Sequence, residues 1–123
     1  MKGSDIPFVY YTSNLKQKIM KKSIERMPAH GCAGLSRTHF IITVGKKKYF
    51  QSFQSLIAIN DDGKITLDRY WWYYCTKTTC AYRNKFLGED RKTTEKKIES
   101  GEYKLANLDD KILTRLNSPA FVV

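Results

Sequence analysis

A run of short apolar segments separated by turn residues constrains the fold of this chain more than any other feature. Residues 38–44 (THFIITV) are rich in β-branched side chains, and Gly45 and Lys46 follow as a tight turn. Asp61-Asp62-Gly63 is a second strong hairpin signal. The pattern predicts an antiparallel meander of three or four strands, with Phe40, Ile42 and Val44 on one face. The predicted strands are residues 38–44, 48–53, 55–60 and 64–68.

A helical pattern precedes the meander. Between Asn14 and Met27 the apolar residues recur at spacings of four, one, four and three, which predicts one apolar helix face. Ser13 is a good N-cap, and Pro28 would end the helix. A further strand is expected over residues 6–12. The apolar face would be formed by Leu15, Ile19, Met20, Ile24 and Met27.

Shorter helices are expected after the meander. Thr78 or Thr79 is placed to cap a helix that ends at Gly88. Thr93 or Thr94 is placed to cap a second helix over residues 95–100, and a third is expected over residues 109–116. The predicted fold class is therefore α+β: an antiparallel three- to four-stranded β-meander with an N-terminal amphipathic helix and short C-terminal helices. With 123 residues, the chain is expected to form a single domain, residues 1–123.

Five consecutive aromatic residues follow the last predicted strand. As a strand, residues 70–74 would place Tyr70, Trp72 and Tyr74 on one face and Trp71 and Tyr73 on the other. One face belongs to the core. The other would either be buried as well or remain exposed, with Trp71 available to stack on bases or anchor a partner.

The charge balance points to a negatively charged partner. Lysine and arginine number 22 against 12 acidic residues, which gives a formal net charge of +10. This excess is larger than solubility requires and attracts nucleic acid, an acidic protein face or an anionic membrane. Solvated helix faces are the alternative explanation for such charge runs. The predicted partner-binding cations are Lys16, Lys18, Lys21, Lys22 and Arg26 on the first helix, Lys46, Lys47 and Lys48 at a hairpin tip, and Lys77, Arg83 and Lys85 further on.

The sequence holds no P-loop, GxGxxG, HExxH or GxSxG motif, and its carboxylates fall mostly in turns or among lysines. We therefore predict a binding protein and not an enzyme. No apolar run approaches the ~20 residues of a membrane span, and the start of the chain lacks a signal-peptide pattern. These features predict a cytoplasmic protein without a membrane partner. An odd count of three cysteines fits a reducing compartment.

The cysteines also suggest a metal site. Cys75 and Cys80 have a C-x₄-C spacing, and His30 and Cys32 form an H-x-C pair on a glycine-containing loop. Together these four residues would make a tetrahedral structural zinc site, in which His39 could replace His30. The alternative is that Cys75 and Cys80 are small buried apolar residues at a corner before a helix.

The segment from Tyr49 to Leu108 resembles a known domain. Its pieces YFQSFQSLIAIND, DGKITLDRYWWYYC, TKTTCAYRNKFLGE and KKIESGEYKLANL are similar to an uncharacterised small domain in phage and plasmid proteins of Gram-positive bacteria. That family has a "LIA" strand, a "GK-hydrophobic" strand, an aromatic step, a Thr-Thr pair and a helix ending in Phe-Leu. The residues that carry the match are Leu56, Ile57, Ala58, Gly63, Lys64, Thr78, Thr79, Arg83, Phe86 and Leu87. Serine is usual in that family where Cys75 stands.

The resemblance implies a mobile-element protein of a bacterial host cell. Many small phage and plasmid proteins are anti-CRISPR inhibitors, so it suggests one that binds a type II CRISPR effector nuclease, or its ribonucleoprotein, and blocks guide or target-DNA loading or cleavage. The second hypothesis is a small basic nucleic-acid-binding accessory protein of a phage or plasmid. Mimicry of DNA is excluded, because a DNA mimic would be acidic.

Overall fold

The computed structural model describes residues 21–108 and 111–116, which form a six-stranded mixed sheet and four helices. Strands β1 to β5 are antiparallel and lie in chain order, and β6 adds to β5 in parallel. The strands are β1 Lys22–Pro28, β2 Leu35–Val44, β3 Lys47–Ser52, β4 Ser55–Asp61, β5 Lys64–Asp68 and β6 Lys104–Ala106. The helices are α1 Arg69–Tyr74, α2 Lys77–Leu87, α3 Arg91–Glu99 and α4 Lys111–Leu116.

The four strands predicted for the meander are present; their ends differ by at most three residues, and the last strand, 64–68, matches at both ends. Asp62 and Gly63 both have positive φ (52° and 94°), as a type I′ hairpin turn requires. The fold class as a whole was predicted wrongly, because the sheet has six strands and includes a parallel pair. The sixth strand has three residues, too few to produce a periodic pattern.

The N-terminal amphipathic helix is also a wrong prediction within the described residues. Lys22–Pro28 is strand β1, in which Ile24 pairs with Ile42 and Arg26 with Phe40. Met27 is buried whereas Ile24 is 47% exposed, so the helical spacing of these two residues did not reflect one apolar face. Pairing along β2 satisfies the backbone of this segment and overrides its helical pattern. Residues 13–20 of that prediction, and the strand predicted over residues 6–12, lie outside the described residues.

The helices after the sheet correct two further details. Thr76, and not Thr78 or Thr79, caps α2, because its hydroxyl accepts a hydrogen bond from the backbone N–H of Thr79. Asp90, and not Thr93 or Thr94, caps α3 in the same way. Gly88 ends α2 with φ 74°, as predicted for a C-terminal glycine.

Apolar side chains cover both faces of the sheet. Helices α1 to α3 pack on one face of the sheet, where Trp72 of α1 joins Phe50 and Leu67 of the strands. Helix α4 packs on the other face over Ile42 and Leu56. A bulge in β4 places two neighbouring residues, Ile57 and Ala58, on the face covered by helices α1 to α3. Phe50 pairs with Ala58 and Gln51 with Leu56, so Ile57 is left unpaired and turns to the same face as Ala58.

Candidate functional site

The aromatic run forms a helix instead of the predicted strand. Asp68 caps this helix, since one carboxylate oxygen accepts from the Trp71 backbone N–H at 3.0 Å. The other oxygen accepts from the Leu108 backbone N–H at 2.9 Å, which fixes the nearly buried Asp68 between two segments. Trp72 is buried among the core residues that lie between the sheet and helices α1 to α3. Which aromatic side chains are buried and which are exposed therefore follows the helical period of 3.6 residues and not the alternation of a strand.

Three tyrosines of α1 remain on the surface. Tyr70, Tyr73 and Tyr74 are 57%, 64% and 67% exposed, and their spacing of three and four residues places them on one side of the helix. We call these three residues the tyrosine patch. The rings of Tyr70 and Tyr74 lie 4.9 Å apart, and the Trp71 ring, which is half-buried, meets Tyr70 edge-on at 5.1 Å. The patch presents aromatic faces to solvent from a helix that Trp72 holds in place.

The surroundings of the tyrosine patch are cationic. The sequence from residue 69 to residue 88 contains no aspartate or glutamate. Arg69 is the first residue of α1, Lys77 begins α2 three residues after α1 ends, and both are exposed. Arg91, also exposed, reaches α1 by donating to the Trp72 carbonyl oxygen at 3.5 Å. Aromatic faces and three solvent-accessible cations thus occur together.

The hairpin-tip lysines are placed differently. Lys46, Lys47 and Lys48 are exposed as predicted, but the Asp61–Asp62 turn lies directly beside them. The Lys47 ammonium is 4.0 Å from the Asp61 carboxylate, and the Asp62 backbone N–H donates to the Lys46 carbonyl oxygen. Two acidic residues therefore offset part of the positive charge at this end of the sheet.

The other predicted partner-binding residues are dispersed. Lys16 and Lys18 lie outside the described residues. Lys21 and Arg26 are exposed on the segment that forms β1, and the Lys22 ammonium donates to the Leu116 carbonyl oxygen. Arg83 is only 1% exposed, so its guanidinium serves the core and cannot reach a partner. Lys85 is exposed on α2 with its ammonium 5.9 Å from the centre of the Tyr82 ring.

Buried Arg83 and exposed Arg91 converge on Trp72 and Cys80. Their guanidinium carbons lie 4.5 and 4.3 Å from the centre of the Trp72 ring. Both also donate to the Cys80 sulfur, at 3.4 and 3.6 Å. Cation–π contacts of this kind are worth about 0.5–2 kcal/mol each. The pair therefore anchors the helix that carries the tyrosine patch.

The predicted zinc ligands do not assemble within the described residues. There, no group of three histidine, cysteine, aspartate or glutamate residues is arranged to hold a metal ion. Cys75 and Cys80 do lie together, with the Cys80 sulfur 4.0 Å from the Cys75 carbonyl oxygen. They occupy the positions just before the cap and at the end of the first turn of α2, where side chains commonly pack. Cys32 is exposed on its loop, and His30 packs against Tyr82. A bound zinc ion stays a prediction from spacing alone.

His39 belongs to a buried polar cluster that sequence reasoning missed. Its Nε2 lies 3.0 Å from the Ser52 hydroxyl and 3.2 Å from the Thr79 hydroxyl, and its Nδ1 lies 2.9 Å from the Thr38 hydroxyl. Its ring stacks on Tyr82 at 4.0 Å, and burial lowers its pKa. A histidine beside a serine is a familiar nucleophile–base pair, but here Ser52 and Thr79 are buried and 3.1 Å from each other. The cluster ties β2 and β3 to α2.

No helix within residues 21–108 and 111–116 is both long and apolar enough to cross a membrane. Comparison of the chain with protein-family models, with curated proteins and with solved structures finds no match. The tyrosine patch and the cations around it are the most distinctive part of the surface formed by the described residues.

Proposed function

We propose that this protein binds single-stranded nucleic acid through the tyrosine patch and the cations around it. The observation that carries the proposal is the exposure of Tyr70, Tyr73 and Tyr74 in a stretch of 20 residues, 69–88, without one acidic side chain. Aromatic faces stack on bases of any identity, and lysine or arginine side chains neutralise the phosphates between them. The predicted activity is binding without catalysis and with little sequence preference.

Stacking would supply the larger share of the affinity. Stacking of a base on an aromatic side chain is worth about 1–3 kcal/mol per base. Two stacked bases on Tyr70 and Tyr74 would therefore contribute about 2–6 kcal/mol. The short helix favours this use of the tyrosines, because Asp68 and Trp72 fix its orientation before a ligand arrives.

Phosphate contacts would make the affinity depend on salt. Arg69, Lys77 and Arg91 are exposed next to the patch, so about three phosphates would be neutralised. For a single strand this number of contacts gives a slope of log affinity on log salt of about −2. Affinity should then fall roughly 20-fold between 50 and 200 mM salt.

Fluorescence anisotropy with a labelled oligodeoxythymidine and a matched oligouridine tests the proposal. Tyr70→Ser with Tyr74→Ser should weaken binding at least ~10-fold, since stacking is lost at both rings. Tyr70→Phe with Tyr74→Phe keeps both aromatic faces and should retain most of the affinity. Ile24→Ser is a matched control, because it removes a similarly exposed apolar side chain on the opposite face of the sheet. Equal binding by the serine and phenylalanine variants would refute the proposal.

Charge reversal separates the patch from the rest of the basic surface. Lys77→Glu should weaken binding and reduce the salt slope, whereas Lys64→Glu, at the far end of β5 from α1, should change little. A larger effect of Lys64→Glu would place the contact elsewhere and contradict the proposal.

A CRISPR effector nuclease stays the partner predicted from the resemblance. The same tyrosines could anchor a protein interface, where tyrosine is a frequent hot-spot residue. Gel filtration with a type II effector ribonucleoprotein distinguishes the two partners. Co-elution with the nuclease, together with weak binding of naked oligonucleotides, would replace nucleic-acid binding by inhibition of the nuclease.

A further inference from the structure

Cys75 and Cys80 form a contacting thiol pair next to the tyrosine patch. Cys75 follows Tyr74 directly, and Cys80 lies in the first turn of α2. The Cys80 thiol points to the Cys75 carbonyl oxygen at 4.0 Å, and the Cys75 thiol donates to the Thr76 carbonyl oxygen at 3.4 Å. Both side chains are half-buried, so small reagents can reach them, while Cys32 lies apart on an exposed loop.

The two sulfurs have different electrostatic surroundings. The Cys80 sulfur accepts hydrogen bonds from both Arg83 and Arg91, so two guanidinium groups face this atom. Burial, reinforced by the neighbouring Cys80, raises the pKa of Cys75 to about 12. Cys75 is therefore held as the protonated partner, and the attack is assigned to Cys80, which the two arginines contact.

Arg83 supplies an independent sign that an anionic group belongs here. Its side chain is 1% exposed, and its Nε and Nη1 atoms are buried without a hydrogen-bond partner among the described residues. Donors left unpaired in the interior of a protein are costly, by about 1–3 kcal/mol or more. The third nitrogen of this guanidinium, Nη2, donates to the Cys80 sulfur at 3.4 Å, a bond that a charged sulfur would strengthen.

We propose that Cys80 and Cys75 are a thiol–disulfide exchange site that reacts with low-molecular-weight disulfides of the glutathione disulfide type. The arginines would also attract the carboxylates of such a molecule. The proposal does not depend on nucleic-acid binding, although Arg91 belongs to both sites.

The exchange proceeds in two balanced steps. The Cys80 thiolate attacks one sulfur of glutathione disulfide, a Cys80–glutathione bond forms, and one glutathione thiolate leaves. Cys75 then loses its proton to solvent and attacks the Cys80 sulfur, which expels the second glutathione thiolate. The two cysteines have lost two electrons and two protons, and one glutathione disulfide has become two glutathiones.

The first step removes one influence that keeps Cys75 protonated. The effect of the neighbouring Cys80 thiol, which raises the pKa of Cys75, disappears once Cys80 is in a mixed disulfide. Arg83 and Arg91, which act in the opposite direction, remain. Burial of Cys75 persists, so the second step is expected to be the slower one.

Peptide mapping under non-reducing conditions tests the site in the full-length Cys32→Ser variant. Trypsin cleaves after Arg69, Lys77 and Arg83, so Cys75 and Cys80 fall in the separate peptides 70–77 and 78–83. After incubation with glutathione disulfide and blocking of free thiols, these two peptides should be recovered joined, and dithiothreitol should separate them. A Cys75→Ser variant should instead retain glutathione on Cys80.

Two results would overturn the proposal. One is a stable mixed disulfide on Cys80 in the Cys32→Ser variant, with peptides 70–77 and 78–83 unlinked. The other is no reaction of either thiol in the folded protein, while the urea-unfolded protein reacts. The role of the arginines has its own readout, because Arg91→Gln, a change of an exposed residue, should slow alkylation of Cys80 severalfold. An unchanged rate would contradict the assigned attack by Cys80.

Discussion

Replacement of Glu89 by alanine should destabilise the helical layer, because this carboxylate connects three segments. Its Oε1 accepts from the Lys97 ammonium at 2.8 Å and from the Tyr103 hydroxyl at 3.1 Å. Its Oε2 accepts from the Thr94 hydroxyl at 2.7 Å. The Glu89 side chain is 9% exposed, so these bonds form largely away from water.

The expected loss follows from the groups left behind. The Thr94 hydroxyl keeps a second acceptor, the Asp90 carbonyl oxygen at 3.1 Å, and the Lys97 side chain is one-third exposed, so its ammonium returns to solvent. The hydroxyl of Tyr103, a residue only 8% exposed, loses the Glu89 acceptor, at a cost of about 1–3 kcal/mol. With the charge-assisted bond from Lys97 also gone, Glu89→Ala should lower the free energy of unfolding by about 2–4 kcal/mol.

Urea unfolding measured from pH 3 to pH 7 separates the charge of Glu89 from its shape. Burial alone would raise the pKa of Glu89, but the hydrogen bonds from Lys97, Thr94 and Tyr103 together lower it. A lowered pKa gives stability that is complete above the ordinary glutamate value, about 4.3, and is lost as the pH falls through the folded-state value. The difference between wild type and Glu89→Gln should be constant near neutrality and shrink in acid.

If the stability difference between wild type and Glu89→Gln stays unchanged down to pH 3, this reasoning is refuted. A Glu89→Ala protein as stable as the wild type would refute it as well. Glu95→Ala provides the control, because Glu95 is an exposed carboxylate on the same helical layer. Its replacement should change the free energy of unfolding by no more than about 0.5 kcal/mol.

Two further substitutions test the residues that position the helices. Burial lowers the pKa of His39, so the wild type should lose stability as the pH falls below the ordinary histidine value of about 6.5, and His39→Phe should lack that component in the same urea assay. A pH profile identical in the two proteins would contradict this. Asp68→Ala removes the acceptor of the Trp71 and Leu108 backbone N–H groups and should cost about 1–3 kcal/mol, whereas Asp68→Asn should cost less. Equal losses for alanine and asparagine would show that the hydrogen bonds at Asp68 are not responsible.

The central hairpins could be predicted because local signals and long-range pairing agree there. Asp61-Asp62-Gly63 provides residues that adopt positive φ, and the flanking β-branched segments pair across the turn. The Ile57 bulge was not predictable from alternation, since it places two neighbouring residues on one face.

The segment from Lys22 to Pro28 shows where pattern reasoning fails. Ile24 and Met27 are spaced as on a helix, yet the chain forms an edge strand along β2. Its conformation is decided by pairing with residues of β2 that lie 7 to 22 positions away in the sequence, and a local periodicity contains no information on those partners.

The aromatic helix was missed for a related reason. Tyrosine and tryptophan favour strands, and five in a row suggested alternation. The helix instead depends on the Asp68 cap and on Trp72 packing with Arg83 and Arg91. An aspartate two residues before the aromatic run, Asp68, was the available signal. The basic character of this region was visible in the sequence, but which tyrosines are exposed depends on the helix.

Ultraviolet crosslinking to oligodeoxythymidine tests the central claim most directly. The protein is irradiated with the oligonucleotide at low salt and digested with trypsin, and the crosslinked peptide is identified by mass spectrometry. If bases stack on the tyrosine patch, the label should lie on peptide 70–77, and 200 mM salt should reduce it strongly. Crosslinks confined to other peptides, or an equal yield from the Tyr70→Ser, Tyr74→Ser variant, would contradict binding at this helix.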